Sequence, residues 1–66
     1  MDDLEKKRMI EERINHYERM IFNLELDIIT LKASGDPNDL NFVPKKEKQI
    51  EALKKAIEQI RGLMKK

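Results

Sequence analysis

Ser34-Gly35-Asp36-Pro37-Asn38-Asp39-Leu40-Asn41-Phe42-Val43-Pro44 is the stretch that decides how this chain of 66 residues folds. It holds both prolines and one of the two glycines. Glycine takes the left-handed backbone conformation that closes a helix, so Ser34-Gly35 reads as a helix stop. Asp36-Pro37-Asn38-Asp39 then reads as a capped turn, with Asp as the cap and Pro at the first position after it. Pro44 suits the first turn of a second helix, where its missing N–H leaves no bond unmade.

On either side the breakers vanish. Residues 1–34 contain neither Gly nor Pro, and residues 45–66 contain only Gly62. In the first segment Ile10, Ile14, Tyr17, Ile21, Leu24, Ile28 and Leu31 are spaced 4, 3, 4, 3, 4, 3. In the second, Ile50, Leu53, Ile57, Ile60 and Met64 are spaced 3, 4, 3, 4. Both are heptad seams on one face of a helix, whereas a strand would alternate in twos. The sequence thus predicts an all-α antiparallel hairpin in a single domain, 1–66. Its helices run over about 2–34 and about 44–65, joined by a linker at 35–43. The predicted hairpin core is Ile14, Tyr17, Ile21, Leu24, Ile28, Leu31, Ile50, Leu53, Ile57, Ile60 and Met64. The linker is longer than a tight turn between helices requires. Its Leu40, Phe42 and Val43 are expected to fold back over the end of the hairpin, the alternative being an exposed docking knob.

Antiparallel packing sets Leu31 near Lys46, Leu24 near Leu53 and Ile14 near Met64. At ~1.5 Å per residue the first helix outruns the second, and its first ~10 residues overhang with Met1, Leu4 and Met9. A second pattern is more informative. With Ile21 at zero on a helical wheel, the seam clusters near 330°, while Phe22, Leu26, Ile29 and Ala33 fall at about 100°, 140°, 80° and 120°. One partner helix cannot cover both stripes. The second helix has a minor stripe of its own in Gln49, Ala52, Ala56, Gln59 and Leu63. Self-association of hairpins covers such surfaces economically, because most soluble oligomers are symmetric. The expected assembly is a homo-oligomeric helical bundle, first of all a dimeric four-helix bundle. Its contacts are assigned to Phe22, Leu26, Ile29, Ala33, Ala52, Ala56 and Leu63. In length and layout the chain resembles the Rop-type plasmid regulators, which are short hairpins that dimerise into four-helix bundles. The resemblance extends to architecture alone, and no motif or residue is carried over from it.

Composition narrows the function. The chain has no cysteine, which excludes a disulfide framework and a thiolate metal site. The longest apolar run is Met20-Ile21-Phe22, far too short to span a bilayer. The opening Met-Asp-Asp-Leu is acidic where a secretory leader is basic and then apolar, so the expected location is the cytoplasm, or the host cytoplasm for a viral protein. The net charge of +1 conceals an asymmetry. Residues 1–34 carry eight acids against six bases, residues 35–43 add two acids, and residues 44–66 carry eight bases against three acids.

The titratable residues are laid out as a helix surface. Glu51–Lys55, Glu5–Arg8 and Glu58–Arg61 are spaced to pair along exposed faces. No two carboxylates fall in a seam where burial would shift a pKa for acid–base work. His16, the only histidine, shares a face with Glu12, but two ligands do not make a metal site, and it reads as an exposed histidine beside a carboxylate. Tyr17 is expected to pack its ring in the seam and send its hydroxyl to the rim, or to Asn15 or His16 of another chain. Ser34, the only serine, ends a helix, and no glycine-rich loop could cradle a phosphate. The chain is therefore expected to have no enzymatic activity and no cofactor.

The expected function is that of a small regulatory or adaptor protein acting through self-association and protein–protein contacts. One alternative is a helical bundle that binds RNA or single-stranded DNA through Lys48, Lys54, Lys55 and Arg61. Against it, no aromatic interleaves these bases for stacking, and only one of them is arginine. A second alternative is an inhibitor or accessory subunit that docks the Phe22-Leu26-Ile29-Ala33 stripe on a different protein.

Overall fold

The computed structural model describes residues 2–65. It is all-α, with a long helix α1 (Asp3–Ser34), a single turn of helix α2 (Pro37–Leu40) and a second long helix α3 (Val43–Gly62). A 3₁₀ turn over Leu63–Lys65 follows. The helices α1 and α3 pack against each other as a hairpin with principal extents of 51 × 15 × 13 Å. No helix is long and apolar enough to cross a membrane.

Each boundary has a local cause. The Asp2 carboxylate accepts the Glu5 N–H at 2.7 Å and caps α1. Asp3 and Glu5 in the first turn and Lys32 in the last complement the helix dipole. Gly35 closes α1 at φ 68°, ψ 1°, in the left-handed region. Asp36 then caps α2, its Oδ1 accepting the Asn38 N–H at 2.9 Å, and Pro37 takes the first helical position. The linker is thus more ordered than a bare turn. Ser34 Oγ donates to Asp39 Oδ2 at 2.7 Å and accepts the Asp36 N–H at 3.2 Å, tying the end of α1 to α2.

The second long helix begins at Val43, one residue before Pro44, so that Pro44 falls within its first two positions. No side chain caps it. The Phe42 carbonyl accepts the Lys46 N–H at 3.1 Å and continues the ladder backwards. This placement buries Val43 to 8% exposure against the hairpin end. Leu40 and Phe42 do not follow it, remaining 42% and 48% exposed. The expected fold-back is therefore confined to one side chain. The reason is backbone geometry: α2 holds Leu40 on its last turn, and Phe42 lies at the N-cap of α3, where Lys45 Nζ sits 5.6 Å from its ring centre.

Between the long helices, Ile14, Ile50 and Ile57 are buried, and Ile10, Tyr17, Ile21, Leu24, Ile28, Leu31, Leu53 and Ile60 are half-buried. The register is visible in the side chains that share a groove: Leu24 with Leu53, and Ile14 with Met64. Lys46 Nζ meets Asp27 Oδ2 at 3.6 Å, near the level of Leu31. Met64 is 44% exposed, because it sits on the 3₁₀ turn beyond the last regular turn of α3. The overhang of α1 is also less bare than its length suggests. Leu63 and Met64 line a shallow depression with Asp3, Lys6, Lys7 and Ile10. Leu4 and Met9 stay exposed, and Met1 lies outside the described residues.

Gly35 is the position where the chain needs glycine. A Cβ there would meet nothing within 4 Å, so the whole effect of Gly35→Ala is backbone strain in the left-handed region. That substitution should lower the unfolding free energy by ~1–2 kcal/mol in urea titrations followed by circular dichroism.

Candidate interaction surface

The hairpin is a layer two helices wide and one helix thick, so each long helix meets the other along one side. The remaining apolar side chains have nowhere in this chain to go. Phe22 is 61% exposed, Leu26 45% and Ile29 64%, and Ala33 is exposed with them. Their spacing of 4, 3, 4 keeps them on one line along α1, and no charged residue lies on that line between Phe22 and Ala33.

The two stripes read from the sequence do not share a surface. Ile28 and Ile29 line one groove between α1 and α3 with Glu25, Glu47, Ile50, Glu51 and Lys54. At nearly the same level, Met20, Asn23 and Leu24 line a second groove with Gln49, Ala52 and Leu53. Two grooves between the same pair of helices at the same level lie on opposite broad faces of the layer. The α1 stripe therefore borders one face, and the α3 alanines belong to the other. Ala52 is exposed and Ala56 half-buried, while Leu63 is 58% exposed near the end of the chain. A single flat partner cannot cover both stripes.

Met20 belongs to the alanine groove although it is absent from both stripes. It is 38% exposed. Its signal was present on the wheel, where it falls at about 260°, beside the seam and away from Phe22. The Asp27–Lys46 ion pair is another feature that no spacing rule within one helix reveals, because it joins two helices. By contrast, Glu51–Lys55, Glu5–Arg8 and Glu58–Arg61 do not close into ion pairs among the described residues, where Lys46–Asp27 is the contact that forms. Exposed pairs gain a few tenths of a kcal/mol at best, too little to fix long side chains in one rotamer.

Lys48, Lys54, Lys55 and Arg61 are all exposed on α3, but they do not form a uniform basic strip. Lys54 lies in a groove with Glu25, Glu47 and Glu51. Arg61 lies in one with Glu11 and Glu18. Lys48 and Lys55 remain on the outer side. His16 and Glu12 are exposed, and among the described residues no three of His, Asp and Glu gather as a metal-ligand group. Tyr17 is half-buried, with its ring centre 6.0 Å from that of His16 and 6.0 Å from the Arg13 guanidinium carbon.

No family model, no curated protein and no solved structure matches this chain.

The contrast between seam and stripe is measurable. Ile57, 7% exposed, should cost ~2–5 kcal/mol when cut to alanine. Lys46→Ala, which removes a half-exposed ion pair, should cost under ~1 kcal/mol. Chemical unfolding of both variants at matched chain concentration checks the ratio.

Proposed function

We propose that this chain is a non-enzymatic, self-associating helical hairpin that acts as a small regulatory or adaptor protein through protein–protein contacts. The observation that carries the reading is the exposure of Phe22, Leu26 and Ile29 side by side on α1, clear of the hairpin seam. Isolated exposed apolar residues are ordinary on a soluble surface, but a contiguous row of large ones marks an interaction site. The charge layout favours partners that carry both signs. Acids outnumber bases over residues 1–43 and bases outnumber acids over 44–66, so a partner facing α1 and one facing α3 would meet opposite excesses of charge.

Ile29→Asp places a charge in the row at a residue that is 64% exposed and borders the seam only at the groove it shares with Ile28 and Ile50. In sedimentation, this variant should fall to the mass of one chain, or lose helicity if the assembly is needed for folding. Unchanged mass and unchanged helicity would overturn the reading.

Nucleic-acid binding is the weaker reading. Carboxylates share the grooves that hold Lys54 and Arg61, while Lys48 and Lys55 lie outside those grooves. Phosphate contacts strengthen as salt falls, so the test belongs at low ionic strength. No gel shift is expected with RNA or single-stranded DNA at ~50 mM salt. A shift that weakens with added salt and disappears in Lys48→Glu/Lys55→Glu would reverse the order of the two readings.

A further inference from the structure

We propose that the uncovered stripe of α1 is occupied by the same stripe of a second copy, running antiparallel about a two-fold axis beside Asp27 and Ile28. The proposal rests on the self-association argued above and adds the surface, the direction and the register.

The spacing carries the first part of the argument. An interface across a two-fold axis must be complementary to itself. Phe22, Leu26, Ile29 and Ala33 are spaced 4, 3, 4, which reads the same in both directions. Turned end for end about its midpoint, the row falls onto itself. Phe22 then lies over the partner's Ala33, and Leu26 beside the partner's Ile29. The largest side chain of the row meets the smallest, as close packing of two helices requires. In a parallel pair Phe22 would meet the partner's Phe22 and Ala33 the partner's Ala33, crowding one end and leaving a gap at the other.

Charge selects the same direction. Towards the N-terminus, the line of the stripe continues through Arg19, Asn15, Glu11 and Arg8, and Arg19 and Asp36 are exposed. In the antiparallel register Arg19 reaches the C-terminal end of the partner's α1, where the free carbonyls of the last turn favour a base and exposed Asp36 follows in the chain. The remaining charged turns run on past the end of the partner's helix. A parallel pair would set Arg19 against the partner's Arg19 and Glu11 against the partner's Glu11, and like charges facing across helices are unfavourable. The alanine groove cannot substitute for this contact within one dimer, because it lies on the other broad face.

The chain has no cysteine, so introduced ones report without interference. Oxidation of a mixture of Phe22→Cys and Ala33→Cys should give the mixed disulfide as the main product. Phe22→Cys alone should not link to itself. In the proposed register its two copies are eleven residues apart along the axis, ~16 Å, well beyond disulfide reach. A self-linked Phe22→Cys would establish the parallel arrangement and overturn the proposal. A product with Ala52→Cys would establish face-to-back stacking and overturn it as well. Because Phe22→Cys itself trims the stripe, a second measurement leaves the partner intact. Ala33→Cys carrying a maleimide benzophenone is irradiated with excess unmodified chain, and insertion should map by mass spectrometry to the Arg19–Phe22 region. Insertion elsewhere, or none, overturns the register. Sedimentation of the unmodified chain separates the two levels. A single-chain mass removes self-association altogether. A multimer without the 22–33 link removes only this interface.

Discussion

A two-helix layer has one inside, and that constraint governs the rest of this molecule. The helices α1 and α3 share a single line of contact. Among the described residues, the side chains buried along it are Ile14, Val43, Ile50 and Ile57. Every other seam residue stays half open, because no third element closes the edges of the contact. The hairpin is held in register by those few isoleucines and by the linker, with the Asp27–Lys46 pair as a minor addition. The side chains left over are consequences of the same geometry. A helix in a two-helix layer has most of its circumference in solvent. The large apolar residues of α1 outside the seam are exposed, as Phe22 and Ile29 are.

The linker shows how short polar side chains hold a turn that has no core of its own. Ser34 serves α1 and α2 at once, donating to Asp39 and accepting the Asp36 N–H. Asp36 in turn feeds Asn38. These bonds sit at the surface, and each is individually modest. Together they fix the direction in which the chain leaves α1, and with it the position of Val43 at the hairpin end. The fold therefore depends on Gly35 for one backbone angle and on a small hydrogen-bonded network for the rest.

Much of this was legible in the residues. The stop at Gly35, the cap at Asp36 and the 3–4 periodicity of both long helices are local signals, and α1 ends and α3 begins within a residue of where they lie, whereas α3 gives way to a 3₁₀ turn after Gly62, short of the expected end at about 65. The rest depended on how the helices meet. The start of α3 at Val43 follows from the Phe42 carbonyl joining the ladder, which no proline rule reports. The Ser34–Asp39 bond needs the turn to be closed before the two groups meet. Most consequentially, a helical wheel gives angles about one axis only. It showed that Phe22, Leu26 and Ile29 stand apart from the seam, and that Ala52 and Ala56 do so on α3. That the two stripes border opposite faces emerges only when the antiparallel helices are set side by side, since their wheels then turn in opposite senses.

The two stripes border opposed faces of the hairpin. A body bound along the α1 stripe and a body bound over Met20, Leu24 and Ala52 do not compete, because a layer of protein stands between them. The short extents of the molecule, 15 and 13 Å, keep those faces close together, and both run along its 51 Å length. A layer too thin to enclose much of a core presents, for the same reason, two broad faces that no single flat surface can touch at once.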